Sequence, residues 1–195
     1  FRKGSKKIYV NDSLLKKHSE IKNYIRSVCF CSNDINIVKS EPSFRRTWID
    51  KVVSQLEPVY VELIHRFNRV LKQRSHFWRS ESFQKDKSSE VIESFDIQMS
   101  LISTRIFRRR RRALSKIRPY VEYWHNHLSK SKEQIGINYL SGVFNIDQVE
   151  EEESVISKKI VEQLQKQRSI EALTGKCNFG PHRDDIEFLL SLIHI

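Results

Sequence analysis

Two stretches of this chain repeat an apolar residue every three or four positions, with a polar break between them. The first runs through Tyr60, Leu63/Ile64, Phe67, Val70/Leu71 and Phe77/Trp78; the second runs through Phe95, Met99, Ile102, Ile106, Ala113 and Ile117. That spacing gathers apolar side chains on one face of a helix. The Ser- and Lys-rich stretch 80–89 interrupts the pattern, so the two helices bury their stripes most simply by folding back on each other as an antiparallel arm.

The flanks read differently. Residues 5–12 alternate polar and apolar and meet the turn pair Asn11-Asp12, which predicts a strand entering a hairpin. Val28-Cys29-Phe30 reads as a second strand, and Ile35 to Val38 as a short apolar step. Pro42 opens a helix at a position where its missing N–H costs nothing, and Pro58 stops or kinks that helix after Glu57. Pro119 marks a further boundary, followed by a third helix with Tyr120, Trp124 and Leu128. Ile135, Ile137 and Tyr139 alternate as a strand. The acids Glu150 to Glu153 suit the start of a helix carrying Val155, Ile156, Ile160 and Leu164, which Gly175 ends. Asp185 to Leu190 is a last strand. The expected fold is α/β at both ends, with segments 1–57 and 133–195 flanking a helical arm over 58–132.

Composition agrees with this outline. Of 195 residues, 38% are apolar and 30% charged, a balance suited to long helices with a narrow buried stripe. With 5 glycines a Gly-rich phosphate cradle is nearly excluded. The nearest approach, Gly175-Lys176-Cys177-Asn178-Phe179-Gly180, continues into Pro181-His182 where Lys-Ser/Thr is required. No apolar run is long enough to span a membrane, and the chain does not open on a secretory pattern. Cys29, Cys31 and Cys177 lack zinc spacing and fit a reducing, cytoplasmic setting.

The net charge of +11 is unevenly placed. Within 104–132, Arg105, Arg108 to Arg112, Lys116, Arg118, Lys130 and Lys132 face Glu122 alone. Arg105, Arg108, Arg109 and Arg112 share one helix face, an array that a phosphate backbone would neutralise and that otherwise is a solvated basic surface. Arg45 and Arg46 sit near the start of the Pro42 helix, where cations oppose the helix dipole. A phosphate or a carboxylate such as Asp50 accounts for them equally well. Lys72 and Arg74 lie far along the next helix, as phosphate contacts or as a solvated face. His182, Asp184 and Asp185 could attract a divalent metal, but strand alternation places His182 with Asp184 and Arg183 with Asp185. The set then favours structural ion pairs, with Arg183 gripped by a carboxylate. His125 and His127 diverge on a helix, and no nucleophilic triad is visible.

Gly180-Pro181-His182-Arg183-Asp184-Asp185-Ile186, with Pro42-Ser43-Phe44-Arg45-Arg46-Thr47-Trp48-Ile49-Asp50 and Leu71-Lys72-Gln73-Arg74, resembles the RecF family of bacterial DNA replication and repair proteins. The resemblance runs from about residue 3 to Leu190. It implies an ABC/SMC-like P-loop ATPase head with an inserted helical arm. It further implies ATP and Mg²⁺ in the full-length protein and an ATP-dependent dimer. The family's work is recombinational repair at gapped or junction DNA, single- and double-stranded, with RecO and RecR, and the SOS response. Segment 1–57 would belong to the first lobe and 133–195 to the second. The P-loop would precede Phe1, and the signature and Mg²⁺-binding strand would follow Leu190, so this chain alone is expected neither to bind nor to hydrolyse ATP. The family-signature residues Pro42, Asp50, Gly180, Pro181, His182, Arg183, Asp184 and Asp185 would be structural, with no metal bound. Arg45, Arg46, Lys72, Arg74, Arg105, Arg108, Arg109 and Arg112 would meet DNA. A basic helical interaction module without nucleotide chemistry, or a metal-dependent nuclease on His182, Asp184 and Asp185, are the alternatives.

Overall fold

Pro42 is the first residue of its helix, with Glu41 in extended backbone before it, as the sequence predicts. The computed structural model describes residues 7–16, 21, 24–80, 89–130, 133–142 and 152–192. Most of the Ser/Lys-rich break, Lys132, Glu150, Glu151 and Ile193 to Ile195 lie outside them. The strands are β1 (Tyr9–Val10), β2 (Ser13–Leu14), β3 (Glu133–Leu140) and β4 (Asp185–Leu192). The helices are α1 (Asn36–Lys39), α2 (Pro42–Leu56), α3 (Val59–Arg79), α4 (Ser89–Ser129) and α5 (Glu153–Thr174).

The hairpin after residue 8 forms as expected. Asn11 and Asp12 both take left-handed backbone, φ 47° and 62°, the twist a two-residue turn needs between antiparallel strands. Val28, Cys29 and Phe30 correct the second expectation. They form no strand; Val28 is 99% and Phe30 93% exposed, and no described strand lies alongside to share their backbone hydrogen bonds. A short run with β-propensity needs such a partner to become a sheet.

Pro119 also departs from expectation. It lies inside α4, which runs unbroken through 41 residues, so the third helix is the end of the second. An interior proline removes one backbone bond and costs about 3 kcal/mol in an isolated helix. Here Ile117 and Val121 pack on the core at either side, and Arg118 Nη2 donates to the Ile137 carbonyl at 2.7 Å. Those tertiary contacts hold both halves of the helix in line.

α3 and α4 pack against each other, as the paired stripes require. They do not stand free as a rod, because α4 also packs on α2, α5 and β3, and α2 packs on β4. Ile49 and Val53 of α2, Phe67 of α3, Met99 and Ile106 of α4, Ile137 of β3, Leu164 of α5 and Ile186 of β4 belong to one hydrophobic cluster. Burying each such side chain contributes about 1.5–3 kcal/mol.

β3 and β4 are antiparallel, in register from Glu133 opposite Leu192 to Leu140 opposite Asp185. Ile137 and Tyr139 on one strand and Ile186 on the other turn inward, the period-two pattern of a sheet with one buried face. β4 runs two residues past the expected Leu190, with Ser191 and Leu192 opposite Gln134 and Glu133. Gly175 ends α5 in left-handed backbone, φ 64°, its N–H donating to the Glu171 carbonyl at 2.8 Å.

Candidate nucleic-acid interface

The run Arg108 to Arg112 turns through more than a full helical turn, so its guanidinium groups cannot share one environment. Arg105, Arg108, Arg109 and Arg112 line an open groove of about 250 Å³ with Val59, Leu63 and Glu153. Two carboxylates serve these four cations. Glu153 accepts from Arg108 at 2.9 Å and Arg105 at 3.4 Å; Glu57 accepts from Arg109 at 2.8 Å and Arg112 at 3.3 Å. Among the described residues the groove therefore keeps a positive excess at its surface. Glu153 does more than open α5, because it also ties that helix to α4. Lys72 is exposed on α3.

Arg110 points the other way and is buried. Its Nε and Nη2 hold both oxygens of Asp50 at 2.8 and 3.0 Å, and its Nη1 donates to the Pro181 carbonyl at 2.7 Å and to Tyr139 Oη at 3.3 Å. Tyr60 Oη donates to Asp50, and Tyr139 Oη to Asp184. Two motifs far apart in sequence, through Asp50 and through Pro181 and Asp184, thus converge on one arginine to which sequence reasoning gave no role. The available signal was its register: Arg110 falls four residues after Ile106 and three before Ala113, on the apolar face.

Burial raises the Asp184 carboxyl to about 6, against the Tyr139 hydrogen bond and the Arg110 and Arg46 charges that favour its ionised form. Arg46 donates to the Asp184 carbonyl oxygen at 2.8 Å, not to the Asp50 side chain that Arg110 occupies. Burial and the neighbouring Arg110 lower the Arg46 pKa.

Arg45 is a correction. Its Nε and Nη2 clamp Asp185 at 2.7 and 3.0 Å, and its Nη1 donates to the Ser40 carbonyl at 2.7 Å. Its donors are committed within the protein, so it leaves the set of DNA contacts. Arg74 is a firmer correction, being 0% exposed. It donates to Glu171 Oε2 through Nη2 at 2.7 Å and Nε at 3.0 Å, and to Asp96 through Nη1. Trp78 Nε1 joins the same Glu171 oxygen at 3.2 Å, and Arg168 Nε reaches the second Asp96 oxygen at 2.8 Å. The cluster binds α3, α4 and α5 together. Arg74 also lies in register with buried Phe67, Val70 and Trp78, a signal that outweighs its charge.

Gly180 carries φ 130°, and Arg183 N–H donates to its carbonyl at 2.8 Å, closing a turn through Pro181 and His182. The strand begins only at Asp185, so strict alternation does not govern His182 to Asp185. His182 rests on Phe67 with ring centroids 5.7 Å apart, and its Nε2 lies 3.0 Å from the Cys177 carbonyl. Burial lowers its pKa, as do the Arg183 and Arg46 charges. Arg183 corrects the expected carboxylate grip: it is exposed, its Nη2 3.4 Å from the Cys177 carbonyl and from Asn178 Oδ1. Asp184 and Asp185 are held by Arg110 with Tyr139 and by Arg45 respectively. Among the described residues no group of three or more His, Cys, Asp or Glu could hold a metal ion. Segment 175–180 leads from a helix end toward a strand, the reverse of a phosphate-cradling loop, so it does not fit ATP. No described helix is long and apolar enough to cross a membrane.

No family model matches the chain. It is 41% identical over 189 residues to the DNA replication and repair protein RecF of Synechococcus sp. (strain CC9605), covering 97% of this chain and 51% of that protein. The RecF protein of Parasynechococcus marenigrum (strain WH8102) is 39% identical over 190 residues, covering 97% and 52%. Among solved structures, the recombination mediator protein RecF-ATP in the RecFOR pathway superposes with a TM-score of 0.81 at 28% identity, covering 96% of this chain and 49% of that one. A second structure of the same mediator, RecF-ATPrS, gives a TM-score of 0.83 at the same identity and coverage. The chain spans about half the length of the curated relatives it matches, and over that span its sequence and its fold are similar to those of RecF proteins.

Proposed function

We propose that this chain is the DNA-contacting part of a RecF-type ATP-dependent clamp that acts in DNA replication and recombinational repair. The single observation that carries the reading is the groove on α4, where among the described residues Arg105, Arg108, Arg109 and Arg112 share two carboxylates, Glu57 and Glu153. A phosphate backbone completes that unequal pairing and releases its own counterions in doing so. The buried Arg110 and Arg74 clusters support the reading from behind, because they fix α4 against α2, α3 and α5 and so hold the groove in shape. Lys72 and Arg46 are secondary contacts in this proposal.

By the same family reading, the complete protein is an ABC/SMC-like head that binds ATP and Mg²⁺ and dimerises on ATP. It meets gapped DNA, single- and double-stranded, in the cytoplasm together with RecO and RecR, and serves the SOS response. Segment 58–132 is its helical arm. ATP and Mg²⁺ are assigned to parts of that protein other than the described residues.

The reading is tested by titrating duplex DNA at several salt concentrations with the chain and with its Arg108→Gln, Arg109→Gln, Arg112→Gln triple variant. Binding should weaken alike for all sequences, and the slope of log affinity against log salt should fall by about one unit for each arginine removed. An unchanged slope would mean that the groove is only a solvated basic surface.

A further inference from the structure

α4 carries two chemistries in succession along one exposed face. At 100° per residue, Arg105, Arg109, Arg112 and Lys116 follow one line of the helix, and Tyr120, Tyr123 and His127 continue it. From Arg105 to His127 the line is about 33 Å long at the helical rise. The adjoining face of the same helix, through Ile106, Arg110, Ala113 and Leu114, is buried.

The aromatic end is open to solvent. Tyr120 is 70%, Tyr123 63% and Trp124 57% exposed. The rings nevertheless brace one another: Tyr123 and His127 are parallel within 8° with centroids 6.5 Å apart, and Trp124 stands edge-on to both at 5.3 and 6.1 Å. A contiguous row of exposed rings marks a binding surface. Mutual bracing lowers the entropy lost when something flat stacks on them.

We propose that Tyr120, Tyr123, Trp124 and His127 form a stacking surface for the bases of single-stranded nucleic acid, whose phosphates continue along Lys116 and the arginine line. The inference extends the reading of the α4 groove as a phosphate contact, because the charge of the helix is what selects an anionic polymer over a neutral apolar partner. Within 104–130 the helix segment and its cap carry one acid, Glu122. Duplex DNA keeps its bases stacked inside and offers the rings nothing, whereas an unpaired strand offers every base's π-face. The order of the stripe therefore orients a junction, with duplex phosphates toward Arg105 and the unpaired strand toward His127.

Fluorescence titration of the full chain with a thymidylate homopolymer and with a blunt hairpin duplex tests this. Trp78 is buried and Trp48 half-buried, so the single strand should quench Trp124, and Trp124→Phe should abolish the quench while the strand still binds. The Tyr123→Ala, His127→Ala double variant should lose about tenfold or more in affinity for the single strand and less than twofold for the duplex. Tyr123→Phe, which keeps the ring, should bind like the parent chain. Equal losses on both DNAs, or no loss on the single strand, would overturn the proposal. So would an effect of the double variant confined to sedimentation, since the rings would then be a protein–protein interface. Failure of the arginine triple variant to weaken duplex binding would overturn the groove reading alone, leaving the Trp124 quench to judge the rings.

Discussion

Arg110 and Asp50, one on α4 and the other on α2, meet in a two-armed ion pair with contacts of 2.8 and 3.0 Å, on the buried side of a helix whose outer side is a basic groove. A single run of five arginines thus serves two purposes. Arg108, Arg109 and Arg112 line the groove, while Arg110 fastens the helix that presents them.

Arg110→Met should destabilise the chain by about 3–5 kcal/mol, because Asp50 and Asp184 lose the cation that compensates their burial. Thermal melting checks this. Arg183→Ala should instead stay within about 0.5 kcal/mol of the parent, since Arg183 is exposed and holds no carboxylate. Equal losses in the two variants would mean that the motif is held from outside.

Arg74→Met should cost a similar amount, about 3–5 kcal/mol, by leaving Glu171 without its cation in the core and Asp96 with Arg168 alone. Adding Glu171→Leu should recover part of the loss, as replacing buried ion partners with apolar groups often does. A double variant worse than Arg74→Met alone would show that Glu171 is held mainly by its other donors, Trp78 and the Asn178 N–H.

Gly180→Ala should cost about 1–3 kcal/mol, because φ 130° is strained for any residue with a Cβ, although that atom would meet His182 and Phe67 only at ordinary contact, 3.4–3.5 Å. Gly136→Ala is the control: its added Cβ meets Leu189 at 3.6 Å, an ordinary contact, and the residue sits in a strand. Urea midpoints of the two variants should separate clearly. Coincident midpoints would remove the argument from backbone conformation.

The pH response should combine two opposite contributions. His182 is held neutral, with its pKa below the usual 6.5, so the stability it contributes is present above 6.5 and is lost as pH falls through that value. Asp184 is raised from 3.8 to about 6, so its ionisation penalty is present above 6 and is relieved as pH falls from 6 toward 3.8. Asp184→Asn removes the second contribution. Its melting temperature should then drop more steeply between pH 6.5 and 4 than that of the parent chain. Parallel curves would show that Asp184 does not titrate in that range.

By itself, the sequence determined the helices and their pairing, because a three-four apolar period has one economical solution and Pro42, Pro58 and Gly175 act locally on φ and on backbone hydrogen bonds. It also carried the resemblance to RecF proteins, since the Pro42–Asp50 and Gly180–Ile186 motifs are each contiguous. Tertiary structure alone decided which arginines face outward. Arg110 and Arg74 look like their neighbours Arg109 and Lys72 by residue type, and only carboxylates from other elements, Asp50, Asp96 and Glu171, make it favourable to bury them. The same holds for Val28–Phe30 and Pro119: one needed a neighbouring strand that none of the described residues provides, and the other was overruled by packing. Charge and propensity are local properties, whereas the desolvation of a guanidinium and the continuity of a helix through proline depend on what the rest of the chain brings alongside.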